Sequence, residues 1–186
     1  MDAAARFVRR IPEGDDRERL TCAECGFIAY ENPKVVVGSV VAEADGRILL
    51  CRRAIDPRAG FWTLPAGYLE MGETVAEGAR REAWEEARAR IALDGVLAVF
   101  SIARIGQVQV IFRARLAEPG FAAGPESLEV RQFTWDAIPW DQIAFPSARW
   151  ALQAWCGTAS GPLSAVLNPE EDARGMRPLP QAAAGL

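Results

Sequence analysis

Apolar residues in this chain fall into short runs separated by Gly, Pro and Asp, with one stretch of helical spacing between them. Lys34 to Glu43 (KVVVGSVVAE) is a nearly continuous β-branched run and reads as a buried strand. Asp45-Gly46 is a tight-turn signal, so Arg47 to Arg52 should fold back as an antiparallel partner. Ala54 to Phe61, with Pro57 and Gly60, reads as a loop. From Thr74 to about Arg88 the spacing predicts a helix. Val75, Ala79 and Ala83 give it a small apolar face, and Thr74 with Glu77 fits a capping box. Gly95 to Arg104 and Gln107 to Leu116 read as a strand pair joined at Ile105-Gly106. Leu128 to Trp135 alternates as a further strand, and Ser147, after Pro146, should cap a last helix running to about Trp155. This order suits an α/β fold in which a mixed β-sheet is sandwiched by helices. Residues 34–156 form the main domain, 1–33 an N-terminal segment, and 157–186 a Gly-, Pro- and Ala-rich tail expected to be partly disordered.

Composition narrows the chemistry. The 186 residues are 50% hydrophobic and 25% charged, enough for one domain with a real core. A net charge of -4 supplies no basic field for nucleic acid. No apolar run approaches the length of a membrane span, and Met1 to Arg10 lacks a signal-peptide core, so the cytoplasm is the expected compartment. Histidine is absent, which removes His bases and His-ligated zinc. Of the four cysteines, Cys22 and Cys25 make one zinc-knuckle half. Cys51 and Cys156 are expected to be buried small side chains.

The predicted helix carries an acidic stripe. Glu82, Glu85 and Glu86 are three and four residues apart and share one face. Like charges at that spacing cost roughly 0.2–0.5 kcal/mol per pair unless water or a cation relieves them. Magnesium takes oxygen ligands, typically a few carboxylates, waters and substrate phosphates.

Gly67, Glu73, Arg81, Glu82, Glu85 and Glu86 stand at the spacing of the Nudix box, which this stretch resembles. Arg88 stands where that pattern has Gly, and Ala83 and Ala89 are small for its aliphatic positions. The resemblance implies a Nudix-type α/β/α sandwich over about Lys34 to Trp155. It implies a metal cluster of Glu82, Glu85 and Glu86 with the Gly67 carbonyl, holding Mg2+ or Mn2+, one carboxylate also serving as base. Glu73 and Arg81 would brace the loop and helix. Glu126 or Glu129 would supply a distal acid, Glu126 being preferred because Glu129 falls on the strand. Arg53 would hold a phosphate or orient a glutamate, against the alternative of a surface charge. Trp62 would either stack a substrate ring or sit in the core. Ile11 to Gly38 resembles the zinc ribbon that precedes some Nudix domains. Its first cysteine pair has no counterpart between Met1 and Leu20, so zinc is not expected unless Cys51, Cys156 or another chain completes the site.

The chain is most similar to bacterial and plastid Nudix proteins that cleave FAD or ADP-ribose. NADH pyrophosphatases carry a Ser-Gln-Pro-Trp-Pro-Phe-Pro stretch after the box, which this chain lacks. The implied reaction is Mg2+-dependent hydrolysis of a nucleoside diphosphate linked to another moiety, releasing AMP. Two alternatives remain: a hydrolase that sanitises oxidised nucleoside triphosphates, and a nucleotide sensor that does not cleave. The expected partner is a small nucleotide, not nucleic acid or membrane. Family members are often homodimers, and six Trp and eight Phe leave room for an apolar interface.

Overall fold

The computed structural model describes residues 6–158 and 165–178. The chain divides into two compact units, Met1–Pro33 and Lys34–Leu186. The first is a small antiparallel sheet of β1 (Phe7–Arg10), β2 (Arg19–Cys22) and β3 (Ile28–Ala29). Arg19 ties it to Asp15 at 2.8 Å and lies over the Tyr30 ring. The turn after Cys22 closes through the Gly26 amide donating to the Cys22 carbonyl. The backbone N–H groups of Cys25 and Glu24 point at the Cys22 sulfur and hold its pKa below the ordinary thiol value.

In the second unit the continuous apolar runs are explained by burial on both sides. Its strands are β4 (Lys34–Val41), β5 (Ile48–Arg53), β6 (Trp62–Thr63), β7 (Ala66–Tyr68), β8 (Ile91–Ile102), β9 (Gln107–Leu116) and β10 (Ser127–Phe133). Its helices are α1 (Val75–Ala87) and α2 (Pro146–Thr158). Successive strand side chains point to opposite faces. Val40, Ile48 and Leu50 accordingly pack with Leu97, Phe100 and the α2 residues Ala151 and Leu152. Val41, Leu49 and Cys51 pack the other way, against Ala83 and Ala87 of α1. The result is helix, strands, helix: an α/β/α sandwich. Alanine at positions 79, 83 and 87 lets α1 lie close on the strands, and all three are fully buried.

The strands form two sheets rather than one. β7-β4-β9-β8 is mixed, with β4 and β9 parallel; β10-β5-β6 is antiparallel. This corrects the simple hairpin expected at Asp45-Gly46. The turn forms, with the Glu43 amide bonded to the Arg47 carbonyl, but β4 and β5 share only the bridge Ala42–Ile48 before diverging. β4 pairs instead with β7 and β9, and β5 with β10 and β6.

Helix α1 matches its sequence signals. Thr74 accepts from the Glu77 amide at 3.2 Å, and Glu77 accepts from the Thr74 amide at 2.8 Å, a complete capping box. Arg88 ends the helix in the left-handed region, φ 48° and ψ 27°, the conformation for which glycine is favoured. Helix α2 begins at Pro146 rather than after Ser147, consistent with proline's fit to a first helical position. The expected tail is also corrected in part. Residues 157 and 158 still belong to α2, and the described residues 165–178 pack along β8. The remainder of 157–186 lies outside the described residues. No helix among the described residues is long and apolar enough to cross a membrane.

Arg88→Gly should raise unfolding free energy by about 1 kcal/mol, by removing the left-handed penalty on a Cβ-bearing residue. Urea denaturation measures it. A loss would mean that the Arg88 guanidinium over the Trp84 ring contributes more than the backbone strain costs.

Candidate active site

The site is built around Arg81, near the middle of α1. Its guanidinium donates to both oxygens of Glu73 (3.1 and 2.8 Å), to Glu82 (2.7 Å), to Glu85 (2.9 Å) and to the Tyr68 carbonyl (2.8 Å). Glu73 in turn accepts from the Glu70 amide at 2.7 Å, so the loop between β7 and α1 is clamped to the helix. Paired with Arg81 and that amide, Glu73 is held down at about 2. Glu73 and Arg81, expected to brace the loop and helix, are in contact with each other, with the Glu70 amide of that loop and with the Tyr68 carbonyl at the end of β7.

Glu82 and Glu86 are the two buried carboxylates of the helix, 8% and 6% exposed. Glu82 lies against the backbone of Gly67: a side-chain carbon there would come within 2.4 Å of its carboxylate. Glu86 accepts from the Ala66 amide at 3.0 Å. Burial pushes Glu86 up to about 8, against the pull of that amide, and raises Glu82 against the pull of Arg81. Glu85 is more open, its side chain 53% exposed. All three line one cleft of about 960 Å³, together with Gly67, Arg53 and Glu126.

Glu126 reaches that cleft because its loop is sewn to the end of α1. The Ala122 amide donates to the Ala87 carbonyl at 2.9 Å and the Gly124 amide to the Glu86 carbonyl at 3.0 Å. These are carbonyls that a helix end would otherwise leave unpaired. Contact is so close that a side-chain carbon on Gly124 would lie 1.7 Å from the Glu85 carbonyl oxygen. Glu129 is spent elsewhere, on Arg131 and Arg52. Sequence reasoning named Glu126 but missed Gly124, whose Gly-Pro-Glu setting was the available signal.

Arg53 lines the cleft with its Nε bonded to the Pro57 carbonyl at 2.9 Å and its guanidinium 5.2 Å from the Phe145 ring centroid. Trp62 does not line it. The ring is 5% exposed, edge-on to Phe133 in the core, so of the two alternatives for Trp62 the structure takes the core and not the substrate contact. Cys156 is a second correction: it is exposed, whereas Cys51 is buried as expected, its thiol pKa raised by burial. Gln107 and Gln109 were not singled out from the sequence. They line the cleft in a chain in which Gln109 donates to Gln107 and Gln107 to the Tyr68 hydroxyl.

Comparison with known proteins agrees with this arrangement. The NUDIX domain family matches residues 32–154, two thirds of the chain. The chain belongs to the Nudix hydrolase family. The Nudix N-terminal zinc-ribbon family matches residues 4–31. A Nudix hydrolase structure from Nitrosomonas europaea is 42% identical, with a TM-score of 0.82 over 90% of this chain and 96% of that one. A MutT-like protein from Streptomyces ambofaciens is 36% identical over 104 residues, 56% of this chain and 66%, just under two thirds, of that protein. An ADP-ribose pyrophosphatase from Methanocaldococcus jannaschii is 31% identical over 120 residues, 62% of this chain and 69% of that protein.

The donors of this Nudix site suit a hard divalent cation in kind. Glu82, Glu85, Glu86 and the Gly67 carbonyl offer oxygen alone, and a buried carboxylate as raised as Glu86 gains from a nearby positive charge. They are not gathered round one point. Among the described residues no three His, Cys, Asp or Glu side chains converge closely enough to hold an ion, and Arg81 draws Glu82 and Glu85 toward itself. Cys22 and Cys25 fall under the same statement, two ligands short of a closed zinc site.

Two outcomes check this geometry. The folded pKa of Glu86 lies above its ordinary 4.5, so its contribution to stability is fully present below about 4.5 and is lost as pH rises to about 8. Thermal melts of cation-stripped protein should therefore fall across that window, and Glu86→Gln should flatten the fall. An unchanged slope in the variant would refute the assignment. Glu73 acts outside this window, losing its contribution only as pH falls toward 2. Separately, Gly124→Ala should cost about 1–3 kcal/mol by overpacking, while Glu126→Gln should stay within about 0.5 kcal/mol. Equal costs in urea denaturation would contradict the close contact described.

Proposed function

We propose that this protein hydrolyses the diphosphate linkage of a nucleoside diphosphate joined to a second moiety, with ADP-ribose or FAD as substrate and AMP as one product. The observation that carries the reading is a single cleft with carboxylates at the box helix and a volume of about 960 Å³. Small-molecule pockets span about 300–1,000 Å³, so this cleft has room for a two-part ligand. The likeness to the Methanocaldococcus ADP-ribose pyrophosphatase supports the same substrate class.

In this reading Glu82, Glu85 and Glu86, with the Gly67 carbonyl, would hold Mg2+ or Mn2+, which supplies charge to neutralise the diphosphate and to acidify a water. Phosphoryl transfer then asks the protein mainly for position. Arg53, fixed by Pro57 and Phe145, donates to phosphate oxygens. Glu126, which has no ion-pair partner among the described residues, takes a proton from the attacking water as its oxygen bonds to phosphorus. The bridging oxygen leaves with the other phosphate. Arg81 keeps Glu73 and Glu85 from repelling one another and holds the β7–α1 loop in place.

A chromatographic screen of FAD, ADP-ribose, NADH and an oxidised guanosine triphosphate, with and without Mg2+, tests the reading. AMP should appear from ADP-ribose or FAD only with the cation. Glu86→Gln should abolish turnover, and Glu126→Gln should lower it by about a hundredfold or more if it is the base. Unchanged turnover in Glu126→Gln removes that residue from the mechanism. Pyrophosphate released from the oxidised triphosphate alone would favour a sanitising hydrolase. Binding of ADP-ribose or FAD without cleavage would favour a sensor.

A further inference from the structure

Strand β8 is the edge of the four-stranded sheet, and an open edge presents unpaired amides and carbonyls. Residues 165–178 return along it. The Val166 amide donates to the Leu97 carbonyl at 3.0 Å, and the Val99 amide to the Val166 carbonyl at 2.9 Å. The Asn168 side chain accepts from the Ser101 amide at 2.7 Å and donates to the Ser101 carbonyl at 2.8 Å. Further on, the Ala103 amide donates to the Arg174 carbonyl at 2.9 Å. The chain then turns about Asp172, whose carboxylate is buried and accepts from the amides of Met176 (2.7 Å) and Arg177 (3.3 Å). Covering an edge would need none of this last turn. Its effect is to bring Arg177 into the wall of the cleft that also holds the acidic residues of α1.

Arg104, next in sequence to the anchored Ala103, lines the same cleft. Neither Arg104 nor Arg177 meets a carboxylate at ion-pair distance among the described residues. Ile102 and Ile105 flank them in that wall. Two guanidiniums offer many donors and no acceptor. They match a group rich in oxygen acceptors. ADP-ribose and FAD share such a group, a hydroxyl-bearing sugar or sugar alcohol attached through the diphosphate.

We propose that residues 165–178 are a substrate-binding strap, anchored on β8 and turned by Asp172, that sets Arg177 with Arg104 against the hydroxyl-rich moiety of the substrate. The assignment rests on the nucleoside-diphosphate reading above. It makes Arg177 a specificity residue and Asn168 a positioning residue, without a part for either in the chemical step.

The full chain in Mg2+ should be titrated calorimetrically with two probes that cannot be hydrolysed. One is the α,β-methylene analogue of ADP-ribose; the other is methylenediphosphonate, the diphosphate portion alone. Arg177→Ala should weaken the analogue about tenfold, the loss expected for a hydrogen bond to a charged donor, and leave methylenediphosphonate unchanged. Arg177→Lys should recover part of the loss, since it restores charge without the fork. In turnover, Arg177→Ala should raise KM and leave kcat nearly unaltered. Asn168→Ala should weaken the same probe by loosening the anchor; should it unfold, Arg177→Ala still decides, because that substitution leaves every anchor in place. Wild-type affinity for the analogue in Arg177→Ala would overturn the strap as a binding element and leave it as an edge cover. Equal loss for both probes would also overturn it. A wild-type protein that binds methylenediphosphonate but not the analogue would instead refute the nucleoside-diphosphate reading, and the strap proposal with it.

Discussion

Glu73, Glu82 and Glu85 converge on a single guanidinium, which makes their company tolerable. Arg81 spends its donors on Glu73, Glu82, Glu85 and the Tyr68 carbonyl. Without it, Glu73 would lose the pairing that holds the β7–α1 loop, and Glu82 would be a buried charge with no partner. Such groups are costly to leave uncompensated. Glu86 lies beyond the reach of this compensation: among the described residues it accepts a hydrogen bond only from the Ala66 amide, and burial raises it accordingly. Among the carboxylates of the box helix, Glu82 and Glu85 are thus paired with Arg81, whereas Glu86 has no cationic partner among the described residues.

How far this was legible in the sequence depends on the range of the interactions. The capping box at Thr74 and Glu77, the alanine face of α1 and the β8–β9 pair are local patterns, and each stands where the residues placed it. Helical spacing put the three helix glutamates together, and the resemblance to the Nudix box joined Gly67, Glu73 and Arg81 to them. Arg88 at a glycine position signalled strain, and its left-handed backbone bears that out. What the sequence did not reveal was pairing between distant segments. The turn at Asp45-Gly46 is correct, but no local signal tells that β5 prefers β10 to β4. Trp62 suits a core or a ligand by its chemistry, and packing against Phe133 decides for the core. Residues 165–178 read as tail because the stretch from Gly157 is rich in Gly, Pro and Ala; they are held by backbone and Asn168 hydrogen bonds, which leave little trace in hydropathy.

Much of the cleft lies outside the box helix. Arg53 and its loop, the Gln109–Gln107–Tyr68 chain and the returning segment at Arg177 enclose a space well beyond what a diphosphate needs. They come from separate stretches of sequence. Substitutions there can alter the preferred ligand while leaving the box helix untouched.

The stitching of the Gly120–Glu126 loop onto the last carbonyls of α1 has a mechanical result. Glu86 and Glu126 are forty residues apart along the chain, yet they ride on one small rigid body, because the amides of Ala122 and Gly124 complete the helix that carries Glu86. A fluctuation that unwinds the final turn must release both acids, and one that frees the loop must expose the helix end. The two carboxylates therefore share a single opening equilibrium instead of two independent ones. Half-assembled sites, with one acid in place and the other adrift, are suppressed by the same hydrogen bonds that end the helix.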